Sequence, residues 1–218
     1  MDLSYNLQRF IKYVYKDINK NDLILCKKFN GKKIDFVLSV NSIEKNISLK
    51  NGDNVCIYRD RISNLILFLL SLNVSKDCLL ALLHYQYADG TFDGSGNKIN
   101  SCGQLLKVDF ASQIDIVNRE FENKVLLSKF LDNMLFYEKN GMRVDYFYCG
   151  DCRNGIYACA YDVKNNILND KDNYKHEFMR LGIMNFIPLK RSGCSVENNR
   201  KKHFCILRMN IKKYIKTI

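Results

Sequence analysis

The sequence lacks tryptophan, has a single proline and contains no hydrophobic stretch long enough to cross a membrane. Its longest apolar run, Leu65–Leu70, is far shorter than the roughly 20 residues of a membrane-spanning helix. One proline and eleven glycines among 218 residues argue against long flexible linkers. Because the N-terminal residues soon turn polar, we expect no signal peptide and no membrane partner. What remains is an ordinary globular composition, 47% hydrophobic and 26% charged.

Acidic residues are also scarce: 23 aspartates and glutamates stand against 34 lysines and arginines, a formal net charge of +11. Nine of the basic residues lie in Pro188–Ile218 beside a lone glutamate, Glu197, so this segment holds +8 of that charge. Apolar residues are interspersed among its cations. Such a segment requires an acidic partner or an apolar groove, because water satisfies only its charged half.

Hydrophobic periodicity divides the chain into helices and short strands. Residues 1–20 predict an amphipathic helix, and Asp22–Tyr58 reads as strands with turn signals at Asn30-Gly31 and Asn51-Gly52. Helices are predicted at Ile62–Leu72, Lys76–Tyr87 with Ser75 as its cap, Ala111–Lys139 as one helix or two broken near Asn123, and Tyr174–Met184. A hairpin is predicted at Val144–Cys149 and Gly155–Val163, and Phe204–Ile218 is expected to be a strand followed by a helical turn or a single basic helix.

The expected fold class is mainly α with small antiparallel β hairpins (α+β), in a single compact domain with extended or exchanged terminal segments. Residues 1–20 would form the N-terminal amphipathic helix, which neighbouring molecules could exchange. Residues 21–187 would form the helical core domain with its β hairpins, and residues 188–218 the basic C-terminal segment.

The nine cysteines include the sharpest short pattern, Cys149-x-x-Cys152, in a predicted hairpin turn. Two thiolates at this spacing can hold one edge of a tetrahedral zinc site. The second pair of ligands would come from Cys159, Cys194, His203 or Cys205. The alternatives are a loop disulfide or thiols that pack as small hydrophobic side chains. The candidate disulfide residues are Cys149, Cys152, Cys159, Cys194 and Cys205.

No catalytic pattern accompanies the three histidines, His84, His176 and His203. A nucleophilic enzyme needs a serine or cysteine beside a histidine and an acid, and none of the three has a recognisable partner in the sequence. The loop that begins at Asp89 follows the spacing of a calcium-binding loop, but Asn100 stands where the closing glutamate is required. The sequence therefore predicts a protein that is not an enzyme and has no cofactor, catalytic or metal-binding residues.

The segment Arg200-Lys201-Lys202-His203-Phe204 resembles the short basic tract in the nuclear-targeting region of baculovirus polyhedrins. The chain's size and its heavy use of Asn, Lys, Ile and Tyr, which have AT-rich codons, are similar to those of the polyhedrin-like occlusion-body proteins of nudiviruses. This resemblance covers five residues. It implies a mostly helical crystal unit that is cross-linked by disulfides and by exchange of segments, assembled in the host nucleus and released in an extracellular occlusion body.

The expected function is therefore a self-assembling viral matrix that embeds virions and dissolves in alkali, where tyrosines ionise and lysines neutralise. The expected partners are further copies of the chain and the virion rather than nucleic acid. The candidate assembly contacts are Leu7, Phe10, Val14, Arg200, Lys201, Lys202 and Tyr214. The alternative is a small basic viral regulator that binds nucleic acid, with or without a structural zinc, through phosphate contacts that weaken with salt.

Overall fold

The structure is a computed structural model that describes residues 4–19, 21–96, 110–170, 177–189 and 200–215. In chain order its elements are α1 (Tyr5–Val14), β1 (Ile24–Lys28), β2 (Phe36–Val40), β3 (Ile43–Lys50), β4 (Val55–Arg61), α2 (Ile62–Ser71), α3 (Lys76–Tyr87), α4 (Ala111–Glu120), α5 (Lys124–Leu131), β5 (Tyr146–Cys149), β6 (Ile156–Cys159), α6 (Ala160–Leu168), β7 (Arg180–Leu181), β8 (Met184–Pro188) and β9 (Phe204–Met209). A π-helical turn spans Asp132–Phe136, and 3₁₀ turns span Arg200–His203 and Ile211–Tyr214.

The described residues form two compact units. The first unit contains the described parts of Met1–Val55, Leu131–Asn169 and Asn210–Ile218, and the second those of Cys56–Phe130 and Asp170–Met209. Each unit has its own sheet, of strand order β1-β2-β3-β5-β6 in the first and β4-β9-β8-β7 in the second. The described residues thus divide into two units, whereas the sequence predicts a single compact domain.

The first sheet is mixed. Strands β1, β2 and β3 are antiparallel, and a two-residue turn at Asn41 and Ser42, both with positive φ, joins β2 to β3. Strand β3 then pairs in parallel with β5, which lies about a hundred residues further along the chain. Helix α1 begins at its cap Ser4 and buries Phe10 and Val14 in a core that it shares with one face of this sheet. The N-terminal helix predicted from periodicity is confirmed for Tyr5–Val14.

The second unit packs helices on an antiparallel sheet. Strand β8 pairs with β7 on one side and with β9 on the other. Its fully buried side chains include Leu82 of α3, Val117 of α4, Phe130 of α5 and Leu207 of β9. Ser75 caps α3, and that helix has the predicted bounds. No helix in the described ranges is long and apolar enough to span a membrane.

The prediction of a mainly α fold is wrong: the structure has 39% helix and 27% strand in two sheets. The predicted hairpins are parts of larger sheets, because β3 pairs with β5, and β8 with β9, across sequence separations that periodicity does not show. The error follows from reading each strand by its local pattern alone.

Four local predictions can be compared with the structure in detail. The helix predicted over Tyr174–Met184 is wrong for the described residues from 177 onward, where β7 and the start of β8 form a hairpin. The strand predicted to reach Val163 ends at Cys159, whose side chain caps α6. The break near Asn123 is confirmed, since α4 ends at Glu120 and α5 begins at Lys124. In the C-terminal segment, β9 followed by a 3₁₀ turn matches the strand-first alternative.

Candidate functional site

A carboxylate and a lysine meet at one end of the β2–β3 pair. Asp35 directly precedes β2 and Lys50 ends β3, and because these strands are antiparallel neighbours the two residues lie at the same end. The backbone N–H of Asp35 donates to Ile47 O over 2.9 Å, which continues the ladder. The N–H of Leu49 then donates to Asp35 Oδ2 over 2.7 Å and fixes the carboxylate beside β3.

Lys50 lies in the interior of the first unit. Its side chain is 14% exposed, and its Nζ is 4.0 Å from Asp35 Oδ2, whose side chain is 45% exposed. Burial lowers the pKa of Lys50, while the negative charges of Asp35 and Glu138 and the thiolate form of Cys149 act in the opposite direction. Ser48, two residues earlier on the same face of β3, is fully buried and its Oγ donates to Asp35 Oδ2 over 3.5 Å. A lysine with a lowered pKa beside a partly exposed carboxylate is an arrangement typical of functional sites.

Glu138 borders this pair. Its Oε1 accepts hydrogen bonds from the backbone N–H groups of Lys33, at 2.6 Å, and Ile34, at 3.0 Å. Partial burial raises the pKa of Glu138, but these bonds to its charged form outweigh burial, so its pKa is lowered. The carboxylate sits so close to Gly31 that a β-carbon there would overlap it. The segment before Asp35 is therefore anchored by a charged group from a distant part of the chain.

An open cleft of about 750 Å³ exposes Asp35 to solvent. Lys28 lines this cleft, and Lys33, two residues before Asp35, interacts electrostatically with Lys32, Lys50 and Lys139. Burial lowers the pKa of Lys33, which the nearby Glu138 partly offsets. The lining residues are Cys26, Lys28, Phe29, Asn30, Gly31, Asp35, Phe36 and Leu49. The cleft can hold an anionic ligand beside Lys28 and Asp35, and the buried amine of Lys50 lies 4.0 Å from that carboxylate.

The sequence analysis did not identify Asp35, Ser48 or Lys50. The available signal was a polar residue at the start of one apolar strand, Ile34-Asp35-Phe36, and another at the end of the next, Ile47-Ser48-Leu49-Lys50. In two antiparallel neighbours these positions coincide. The tight turn at Asn41 and Ser42 that makes the strands neighbours was not recognised, so their juxtaposition was missed.

The candidate disulfide residues lie in different surroundings. Cys149 is buried on β5, Cys152 is exposed in the β5–β6 turn, Cys159 is half-buried at the start of α6 and Cys205 is buried on β9. The thiols of all four are free. Burial raises the pKa of Cys205 to about 12. Cys194 lies outside the described residues. Disulfide bonding at these positions stays a prediction.

Two of the candidate assembly contacts, Phe10 and Val14, are 2% and 6% exposed in the core of the first unit, and Leu7 packs against the same core. Tyr214 is buried in the 3₁₀ turn after β9. Lys202 donates to Gly94 O over 2.8 Å. Arg200 and Lys201 belong to the 3₁₀ turn before β9, and their side chains lie outside the described set. Their role between copies of the chain stays a prediction.

The metal sites considered from sequence find little support. In the described portion of the chain, no group of three or more His, Cys, Asp or Glu side chains could hold a metal ion. Cys149-x-x-Cys152 therefore has no second pair of zinc ligands there. In the loop that resembles a calcium site, Asp89 Oδ1 accepts hydrogen bonds from the N–H and hydroxyl of Thr91, so it acts as a turn-forming side chain.

No protein-family model matches this sequence, and no curated protein matches it. Among solved structures the chain is similar to the restriction endonuclease MspI in complex with its cognate DNA. The TM-score is 0.47 and the identity is 11%, with 93% of this chain and 76% of that chain covered.

This likeness contradicts the prediction that the chain is not an enzyme, since the similar protein is a nuclease. The prediction is therefore withdrawn. At so low a TM-score the likeness assigns neither activity nor site.

Proposed function

We propose that this chain hydrolyses phosphodiester bonds of nucleic acid at the cleft beside β2 and β3. The observation that carries the proposal is the pair formed by Asp35, which lines the cleft, and Lys50, whose buried amine lies 4.0 Å from that carboxylate. One carboxylate and one lysine are the minimum needed to place a cation and a proton-transferring or charge-stabilising group at a phosphate.

Asp35 is suited to hold Mg²⁺. This ion keeps several waters and binds through one or two carboxylates together with substrate phosphates, so a single exposed carboxylate is sufficient on the protein side. The ion would act as a Lewis acid toward the phosphate. The N–H of Leu49 fixes Oδ2 of Asp35, so the carboxylate is oriented before any ligand binds.

Lys50 acts on the phosphorus centre and its nucleophile. As an ammonium it stabilises the negative charge that develops on the phosphate oxygens, and because burial lowers its pKa it is a stronger proton donor than an ordinary lysine. Water adds to phosphorus, the bond to one ester oxygen breaks, and that oxygen leaves as a hydroxyl after taking up a proton. The other product is a phosphate monoester.

Charge favours a polyanionic substrate. The chain carries a formal +11, Lys28 lines the cleft, and Lys33, two residues before Asp35, interacts electrostatically with Lys32 and Lys139. Lysines and arginines that contact phosphates supply most of the sequence-independent affinity for nucleic acid. This agrees with the nucleic-acid-binding alternative considered from sequence and adds a reaction to it.

The test is cleavage of long, unmodified DNA of mixed sequence with Mg²⁺, analysed on a gel. We expect cleavage that EDTA abolishes and that falls about 100- to 1,000-fold in both Asp35→Asn and Lys50→Met. The matched control is Lys164→Met, since Lys164 Nζ also pairs with a half-buried carboxylate, Asp132, over 2.7 Å in the same unit. That variant should cleave at the wild-type rate.

Two results would overturn the proposal. One is the absence of cleavage of duplex DNA, single-stranded DNA and RNA by protein that circular dichroism shows to be folded. The other is equal activity in Lys50→Met and Lys164→Met, which would mean that the buried amine has no part in the reaction.

The self-assembling matrix expected from sequence is a second candidate, favoured by the exposed thiols of Cys26, Cys56 and Cys152. Exposed thiols can form disulfides between copies once the protein is in an oxidising environment. Sedimentation under oxidising conditions should then show large species that a reductant and alkali disperse. A monomer under all conditions would exclude this candidate.

A further inference from the structure

One face of the second sheet carries a row of polar side chains in register. Arg180 of β7 pairs with Asn185 of β8, and Asn185 pairs with Arg208 of β9. Directly paired residues project to the same face of a sheet. Neighbouring strands are about 4.8 Å apart, so the two arginines stand roughly 10 Å apart with the amide between them.

Strand β4 adds further arginines to this face. The Arg61 guanidinium lies over the ring of Phe204, 5.9 Å from its centroid, and Phe204 shares a face with Arg208 because the two are four residues apart on β9. Arg59, two residues before Arg61, projects to the same side. Asp60 alternates to the opposite face, so the strand residues on this face include arginines but no carboxylate.

Two atoms in the row lack partners. Among the described residues, Arg208 Nε and Asn185 Oδ1 are buried and make no hydrogen bond. Buried polar atoms in folded proteins are almost always paired, so these two side chains have hydrogen-bonding capacity left for a ligand or a water. Guanidinium groups select phosphate, which matches their forked geometry.

We propose that this surface, the arginine face formed by Arg59, Arg61, Arg180, Asn185 and Arg208, binds the phosphate backbone of duplex DNA. The positive charge of this face complements a polyanion, since no strand carboxylate competes for the guanidinium groups. A single strand fits less well, because single-strand sites stack bases on free aromatic rings and Phe204 is already covered by Arg61. The inference rests on the proposed function only in that both involve nucleic acid.

The experiment is fluorescence anisotropy of a short labelled duplex DNA, titrated with the full chain at several salt concentrations in EDTA so that no cleavage occurs. Arg208→Gln should weaken binding roughly tenfold and reduce the slope of log affinity against log salt by about one phosphate contact. Arg208→Lys keeps the charge and should retain the slope with a smaller loss. The matched control is Arg119→Gln, because Arg119 is an exposed arginine of the same unit paired with Asp115 over 2.9 Å.

The inference is overturned if Arg208→Gln and Arg59→Gln bind as Arg119→Gln does, or if single-stranded DNA or RNA binds more tightly than the duplex. Arg59 is exposed, so its variant keeps the test decisive if Arg208→Gln fails to fold. The two proposals fail separately. Loss of cleavage in Lys50→Met with intact duplex affinity supports both, whereas binding without any cleavage by wild type rejects the proposed function alone.

Discussion

The first unit buries the side chain of one lysine, whereas the second places several arginines along one face of its sheet. Lys50 of the first unit is 14% exposed and lies at the end of a strand beside a single carboxylate. Arg59, Arg61 and Arg208 of the second unit lie on one sheet face without a carboxylate among the strand residues there. The two units therefore differ in the chemistry that they would offer to a phosphate group.

The residue types fit this division. A buried lysine changes its pKa readily and can gain or lose a proton during a reaction, which an arginine does not do in a protein. An arginine offers a planar fork of donors that contacts phosphate without taking part in proton transfer. Under the two proposals the first unit carries the reaction and the second contacts the nucleic acid, a division that matched changes in the two units can test.

The largest effect is expected from removing one buried aromatic ring from the core of each unit. Phe147 of the first unit and Phe130 of the second are both fully buried, and each ring meets another phenylalanine edge-on, Phe136 at 5.6 Å and Phe121 at 5.1 Å. Replacing either ring by alanine should lower the free energy of unfolding by about 3–5 kcal/mol. Hydrogen exchange read by mass spectrometry should show the loss of protection first in the sheet of the unit that carries the change.

The comparison predicts opposite patterns for the two variants. Phe147→Ala should raise exchange in β2, β3 and β5 before β8 and β9, and Phe130→Ala should do the reverse. Equal loss of protection in both sheets for both variants would mean that the two units are one cooperative structure with no separate stability.

How much of this could be predicted from sequence differs between local and distant features. The bounds of α3 were predicted because Ser75 and the apolar spacing that follows are local signals. The β7–β8 hairpin was predicted as a helix, because apolar residues near Met179 and Met184 also suit a helical period and the pairing of β8 with β9 is not visible locally. The arginine face depends on that same distant pairing, so it was missed as well.

A smaller effect concerns alkali. In the first unit, burial raises the pKa of Tyr13, Tyr146 and Tyr148, and that of Tyr15 to about 12. In the second unit, burial raises the pKa of Tyr58 and Tyr87. A group whose folded pKa exceeds its unfolded pKa stabilises the fold below the unfolded value, near 10, and loses that contribution as pH rises toward the folded value. Because four of these tyrosines lie in the first unit and two in the second, we expect the first sheet to lose hydrogen-exchange protection before the second between about pH 10 and 12.

Tyr15→Phe isolates one of these groups. The Tyr15 hydroxyl lies 2.7 Å from Leu38 O and 3.0 Å from Ile43 O, and it can donate a hydrogen bond to these carbonyls only while it is protonated. The variant should lose about 1 kcal/mol at neutral pH but should escape part of the alkaline loss, at most about 2.7 kcal/mol by pH 12 and less where solvent screens the phenolate. Urea unfolding followed by circular dichroism at several pH values measures this, with the exposed Tyr161→Phe as control. Parallel pH profiles for Tyr15→Phe and wild type would reject the assignment.

The candidate site depends on contacts that local sequence patterns do not predict. Asp35 and Lys50 were visible as charged residues at the ends of apolar segments, but their meeting depends on the strand register and on burial, which only the folded chain supplies. Glu138 joins them from about a hundred residues away by accepting the N–H groups of Lys33 and Ile34. No spacing in the sequence encodes that contact, whereas the histidines and cysteines form patterns that are visible in the sequence itself.

The smallest effect is expected from replacing one close-packed glycine in each unit by alanine. A β-carbon on Gly31 would overlap Glu138 Oε1 and approach the ring of Phe29, whereas one on Gly182, whose φ is +62°, would overlap a methyl group of Leu127. Each alanine variant should cost about 1–2 kcal/mol of unfolding free energy by overpacking. Only Gly31→Ala should also slow phosphodiester hydrolysis, because displacing Glu138 frees the segment that positions Asp35. Unfolding in urea and the cleavage assay, run on both variants, separate these outcomes. Equal loss of stability with unchanged cleavage in Gly31→Ala would show that Glu138 stabilises the fold but has no part in the reaction. The contrast between a reacting and a contacting unit would then depend on Asp35 and Lys50 only.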